Sequence, residues 1–249
     1  MLDHVVSQGT EGVQTIRFDR VEAENALTAA MCEAAADAIS FGESSSRIRV
    51  ILITGAPGMF TAGLDANELG AFAAGGALGE GVVRFLKTIA TVDKPVVAAV
   101  DGIASGIGTS LLMHCDYVVA GEWSVFSAPF ADMGLPPSGG TSLLAPKLLG
   151  YHRAFGLMVM GDQFDAQAAL NAGLVNRVVP ADEVEQAGLT AAETLAAKPP
   201  EAVRMARRLM RGDQRDVMAR IDQEASGFGD LLGSPAARDA LQDHIDKKR

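Results

Sequence analysis

Apolar residues fall along this chain in two spacings. Val50-Ile51-Leu52-Ile53-Thr54 and Val96-Val97-Ala98-Ala99-Val100 are unbroken apolar runs, the pattern of strands buried on both faces. Asp116-Tyr117-Val118-Val119-Ala120 predicts a further strand, and Val125-Phe126-Ser127 a shorter one. Val5-Val6 and Val13–Phe18, with Ser7–Gly12 between them, read as a hairpin. Thr28 stands where it can cap an alanine-rich helix reaching about Phe41, and a second helix is expected from Val82 to Ala90. The strand at 96–100 leads into a glycine-punctuated turn and a short apolar helix through Leu111-Leu112-Met113. After residue 180 the pattern turns helical, over roughly 181–197, 200–211, 214–232 and 235–247. Strands alternating with helices predict an α/β core with a largely parallel sheet. The break at Lys198-Pro199-Pro200 divides a core of residues 1–197 from a helical region of 198–249. The Gly/Ala-rich stretch from Gly70 to Gly81 has the composition of a mobile segment that covers a site. No internal repeat is evident.

Composition narrows the function. With 249 residues and 48% hydrophobic content, the chain can bury a sizeable core without staples. A net charge of −10, from 21 basic and 31 acidic residues, argues against a nucleic-acid partner, which needs a basic surface. Arg204, Arg207, Arg208 and Arg211 share one helix and read as a solvated face. Lys247-Lys248-Arg249 reads as a frayed end, with a nucleotide phosphate as the alternative partner. Cys32 and Cys115 are not in a CxxC spacing, and His4, His114, His152 and His244 form no HxxxH pair, so neither a disulfide framework nor a metal site is expected. Met1-Leu2-Asp3-His4 has no charged-then-apolar pattern. Asp93-Lys94 and Asp101 interrupt the longest apolar stretch, so no membrane span is expected and the cytoplasm is the expected location.

Generic catalytic signatures are missing. Gly106-Ile107-Gly108 lacks the third glycine of a dinucleotide loop, and Ser105 is not in a GxSxG elbow. Two glycine turns stand out instead: Phe60-Thr61-Ala62-Gly63-Leu64-Asp65-Ala66-Asn67-Glu68-Leu69, and Gly102 through Ser110. Each follows an apolar strand and precedes helical sequence. On neighbouring parallel strands they bring two backbone N–H groups to the carboxyl end of the sheet, where α/β ligands bind. Such a pair can hold the oxygen of a thioester enolate. The plainer alternative is that the glycines only permit tight turns and close packing.

In these segments the chain resembles the crotonase (enoyl-CoA hydratase/isomerase) superfamily over essentially its whole length. The carriers are Phe60-Thr61-Ala62-Gly63-Leu64-Asp65, Asn25-Ala26-Leu27-Thr28, Asp101-Gly102 through Cys115-Asp116, and Phe164-Asp165-Ala166. Ala172-Gly173-Leu174-Val175-Asn176-Arg177-Val178-Val179-Pro180, Pro199-Pro200 and the ending Ile245–Arg249 follow in order. The resemblance implies a spiral of ββα units with a C-terminal helical trimerisation region, giving homotrimers often paired into homohexamers. It implies an acyl-CoA thioester as substrate, with coenzyme A part of the substrate and no separate cofactor. By position the oxyanion donors are the amides of Leu64 and Ile107. Ala23, Asn25, Ala62, Leu64, Asp65, Ala66, Asn67 and Ile107 fall at substrate- and CoA-binding positions.

The chain departs from the family pattern where protons are moved. The two hydratase glutamates fall on Ser110 and Phe130, and the acidic residue used by family isomerases falls on Ser138. Phe130 after Pro129, with the later Gly139-Gly140-Thr141-Ser142, looks more like the Δ3,Δ2-enoyl-CoA isomerase branch than the hydratase branch. A serine is no base near neutral pH without a partner, and no histidine is expected to serve these motifs, His114 reading as a packed or capping residue. Asp65, Glu68 and Asp132 are the other candidate bases, with Asp65 more naturally a helix cap and Asp132 a surface residue. The expected function is therefore an acyl-CoA enzyme that works through a thioester enolate by isomerisation, decarboxylation or thioester hydrolysis. A non-catalytic acyl-CoA-binding or assembly protein is the alternative, and an RNA-binding relative is disfavoured by the charge.

Overall fold

The computed structural model describes residues 4–75 and 77–247. Lys248-Arg249 of the basic ending and Met1-Leu2-Asp3 lie outside the described residues. Strand β1 (Val5–Thr10) pairs antiparallel with β2 (Val13–Phe18). The hairpin is tighter than the sequence suggests. Glu11 and Gly12 both take positive φ, so a two-residue turn closes it and Ser7–Thr10 extend the strand rather than forming a loop. Helix α1 (Ala29–Ser44) starts at Thr28, whose hydroxyl accepts the Met31 amide.

Strands β3 (Val50–Thr54) and β4 (Val96–Val100) continue the sheet in parallel from β2. Between them lie α2 (Ala66–Gly75) and α3 (Glu80–Thr91). The stretch expected to be a mobile cover thus includes the end of α2 up to Gly75 and the start of α3 at Glu80, with a non-helical link at 77–79. After β4 come β5 (Ile103–Ser105) and α4 (Ile107–Leu112), then β6 (Tyr117–Gly121) and β7 (Val125–Ser127). Helices α5 (Thr141–Leu149) and α6 (Tyr151–Phe155) run into a π-helical turn at Gly156–Met160. The short strand β8 (Phe164–Asp165), α7 (Ala166–Ala172) and β9 (Arg177–Val179) complete the core. The main sheet has the order β1-β2-β3-β4-β6-β9, parallel from β2 onward. A second sheet, β5-β7-β8, stands beside it.

Because side chains alternate across a strand, the main sheet supplies two apolar layers. Ile51, Ile53, Ala98 and Val100 face α1, α3 and α4 in the larger core. Val50, Leu52, Val97, Ala99 and Val119 face α8 (Val184–Ala196) in the smaller one. The C-terminal helices follow as α9 (Pro200–Arg211), α10 (Arg215–Leu232) and α11 (Pro235–Lys247), close to the limits read from sequence. They fold back on the core. Helix α10 packs on α2, α3 and α5, and α11 packs on the 3-10 turn Ala131–Met133. Arg207 departs from the solvated helix face expected for the α9 arginines. Its Nε donates to Asp116 at 2.7 Å and its Nη1 to the Val92 carbonyl at 2.5 Å, which pins α9 to the sheet.

Candidate active site

The two glycine turns meet beside the second sheet. Thr61 pairs with Ala104 as in a parallel ladder, with Thr61 N–H donating to Ile103 O and Ser105 N–H to Thr61 O. Gly63 has φ 99° and Gly106 has φ 52°, ψ −115°, values that residues with a Cβ rarely adopt. A Cβ on Gly63 would also lie 3.0 Å from the Ser105 carbonyl. The turns therefore approach closely, and Leu64 and Ile107, each just after its glycine, line one cavity of about 320 Å³. Ile107 is the first residue of α4, where an amide has no intrahelical acceptor. Among the described residues no acceptor takes the N–H of Leu64 or of Ile107.

The rest of the cavity is built from apolar groups and two hydroxyls. Phe130, Met133, Leu69 and Pro129 form walls, with Ala62, Ala66 and Asn67 along one edge. Ser105 and Ser138 are the lining hydroxyls, and among the described residues no ionisable side chain lines the cavity. Ser105 accepts a hydrogen bond from Ser127 at 2.9 Å. Phe228 of α10 and Leu241 of α11 close the cavity from above. These two residues escape sequence reasoning. The 3- and 4-residue spacing of Val217, Ile221, Glu224 and Phe228 marks a buried stripe on α10, but not what that stripe covers.

The other positions singled out in sequence have different surroundings. Ser110 is buried in α4, and its hydroxyl donates to Gly106 O rather than lining the cavity. Asn25 is fully buried and acts as a clip: its Oδ1 accepts the Arg20 amide, and its Nδ2 donates to Met59 O and Phe60 O. Asp65 caps α2 through the amides of Asn67 and Glu68 and pairs with Arg20 at 2.8 Å. Its burial would raise its pKa, but Arg20 and the two amides outweigh that and hold the carboxyl below its ordinary range. Ala23 sits in a 3-10 turn at Val21–Ala23. Asp132 is exposed beside Gly161, and Glu68 lies in the first turn of α2.

One histidine reaches the Ser138 turn after all. His114 is buried, with Nε2 2.7 Å from the Gly139 carbonyl, so that nitrogen carries the proton and Nδ1 has no partner. Burial pushes its pKa down to about 4, against the smaller opposing pull of that hydrogen bond. The ring is neutral at ordinary pH and faces the turn from the core side. On the other flank, Glu224 of α10 accepts the amides of Gly140 at 2.5 Å and Ser142 at 2.8 Å, capping α5 from a distant helix. Its burial raises its pKa, only partly offset by Ser142, Gly140 and Arg220. In chemical terms the site combines a largely apolar lining with two residues, Leu64 and Ile107, whose N–H groups take no acceptor among the described residues.

Comparison with known proteins agrees with this architecture. The sequence profile of enoyl-CoA hydratase/isomerase matches residues 8–249. The chain is 33% identical over 205 residues to the 1,2-epoxyphenylacetyl-CoA isomerase of Escherichia coli, covering 80% of this chain and 78% of that protein. It is 30% identical to the short-chain-enoyl-CoA hydratase of Clostridium acetobutylicum, covering 100% and 97%. Among solved structures, an enoyl-CoA hydratase/isomerase from Pseudoalteromonas atlantica superposes with a TM-score of 0.92 at 33% identity, covering 98% of each chain.

Proposed function

Because this chain belongs to the enoyl-CoA hydratase/isomerase family, we propose that it binds an acyl-CoA thioester and stabilises its enolate between the amides of Leu64 and Ile107. The observation that supports the reading is that Leu64 and Ile107 line the same small cavity and that, among the described residues, no acceptor takes either N–H. Fixed donors in an apolar chamber favour the enolate oxygen over the neutral carbonyl, and one such donor contributes roughly 3–4 kcal/mol to the transition state. The acyl group lies against Phe130, Met133 and Phe228, and the CoA arm leaves along Ala62–Asn67 towards Ala23 and Asn25. Coenzyme A enters as part of the substrate, without a separate cofactor. The protein works as a cytoplasmic homotrimer or homohexamer.

Ordinary hydration is not the reaction in this reading. Hydration needs a base to deprotonate water and an acid to protonate carbon, and Ser110, Phe130 and Ser138 supply neither. Ser138, which lines the cavity, orients a water or a polar group of the substrate instead. The reaction is one of isomerisation, decarboxylation or thioester hydrolysis. The absence of any ionisable side chain from the lining, among the described residues, favours a second reading, a protein that binds acyl-CoA without turning it over.

The test is incubation with enoyl-, hydroxyacyl- and malonyl-type CoA thioesters, followed by mass spectrometry, beside a CoA-binding titration. Turnover of any member supports the enolate enzyme. Binding without turnover across the panel selects the silent binder, and no CoA binding at all overturns both.

A further inference from the structure

A cavity larger than the site above lies elsewhere in the molecule. It is a groove of about 740 Å³ between α8, α9 and the β6–β9 edge of the sheet, and it shares no lining residue with the candidate active site. Its sheet residue Val119 belongs to the smaller apolar layer, whereas the active-site walls belong to the larger one. The main sheet therefore separates the two cavities.

The groove has an apolar length and a set of cations. Ala187, Ala191 and Leu195 recur at four-residue spacing along α8, and Val203, Ala206 and Met210 form the facing stripe on α9. Thr190 and Thr194 also line it, but their hydroxyls are spent on carbonyls one turn back in α8. Arg177, Arg207 and Arg211 line it as well, with Asp116 as the one lining carboxylate, and Arg207 and Arg211 both lie within reach of Asp116. That carboxylate already takes the Val96 amide and Arg207 Nε on one oxygen. Neither Arg177 nor Arg211 forms an ion pair among the described residues. Arg207 is only 9% exposed, and its Nη2 is a buried donor without an acceptor. Burial lowers the pKa of Arg211, and the neighbouring Arg207 charge lowers it further, the mark of cations crowded without enough counter-charge. In a chain of net charge −10, a lining of three guanidiniums and one carboxylate is a local cationic excess, although Arg211 also feels Asp93 and donates to Ala90 O at 3.3 Å.

We propose that this groove is a second ligand site, which takes an amphipathic monocarboxylate: its carboxylate against the Arg177–Arg207–Arg211 cluster, its apolar body between α8 and α9. Guanidinium and carboxylate match as planar forks, which makes arginine the favoured partner for such a head group. The volume is in the range of small-molecule pockets.

Decanoate is a suitable probe, with decanol as the uncharged control, titrated calorimetrically against the full chain with and without saturating CoA. Decanoate should bind at least tenfold tighter than decanol, and CoA should not displace it. Arg177→Gln and Arg211→Gln should each weaken decanoate at least fivefold and leave decanol unchanged. Ala191→Phe, which fills the apolar length, should weaken both. Arg207→Lys keeps a cation for Asp116 but loses the fork, and circular dichroism identifies any variant that fails to fold. Equal affinity for decanol, displacement by CoA, or indifference to the three groove substitutions overturns the proposal. So does absence of binding, including the case where light scattering shows the groove closed between copies of the chain. Failure here leaves the enolate reading standing, since that reading depends on the other cavity.

Discussion

At the scale of single residues, the decisive atoms belong to the backbone. On the proposed reading Leu64 and Ile107 act only through their N–H groups, so their side chains are free to be apolar. This permits a clean subtraction. Ile107 is the first residue of α4, the one helical position where proline fits without loss of a hydrogen bond. Ile107→Pro should therefore lower kcat on any CoA thioester found to turn over by roughly 10²–10³-fold, whereas Ile107→Ala, which loses the same buried packing but keeps the N–H, should lower the melting temperature comparably and kcat far less. Steady-state kinetics beside a thermal melt checks both halves. His114 makes a second residue-level prediction. Its pKa is pushed below the ordinary value of 6.5 to about 4, so the unfolded chain takes up a proton that the folded chain refuses between those pH values. Stability on this account is full above about pH 6.5 and falls as the pH drops towards 4, by about 3 kcal/mol. Glu224, raised by burial, works in the opposite sense, losing its contribution as the pH rises. His114→Gln should flatten the acid limb of stability against pH in urea titrations, and an unchanged limb would refute the assignment.

At the scale of elements, the roof is the vulnerable part. Phe228 is 2% exposed and belongs at once to the core and to the cavity lining. Phe228→Ala should cost about 3–5 kcal/mol of unfolding free energy, read from denaturant midpoints, and should raise KM for acyl-CoA more than it changes kcat. This element also shows where the sequence stops being readable. Strands β3, β4 and β6 are legible because they are buried on both faces and carry almost no polar residue. Helix α9 is legible because proline opens it and Gly212 ends it. The second sheet is not, since strands of two or three residues are too short to show a period. Helices α5 and α6 are hidden for another reason: exposed Leu148, Tyr151 and Phe155 blur the polar face that would mark them. The two amide donors could be found from their glycines. Phe228 and Leu241 could not, because periodicity says which face of a helix is buried and not what it is buried against. Arg207 departs from the solvated face expected for the α9 arginines for the same reason, since only the fold brings Asp116 and Val92 to it.

At the scale of the whole molecule, charge and layering act together. The isoelectric point near 4.8 lies inside the pH window in which His114 erodes stability. Light scattering should therefore show self-association peaking close to pH 5, where repulsion between molecules vanishes while local opening grows. A profile that stays flat from pH 7 to 4.5 would contradict this. The sheet keeps two cavities apart, yet the C-terminal helices touch both, α9 on one side and α10 with α11 on the other. Construction order adds a consequence. Both amide donors lie in the first half of the chain, whereas Phe228 and Leu241 are synthesised after every strand. A nascent chain on the ribosome thus shapes the anion-holding turns first and carries an open greasy hollow until α10 and α11 emerge. Chaperones and proteases meet that hollow as a mark of incompleteness, so a frameshift between residues 211 and 228 exposes the molecule to cellular quality control even though every strand is present.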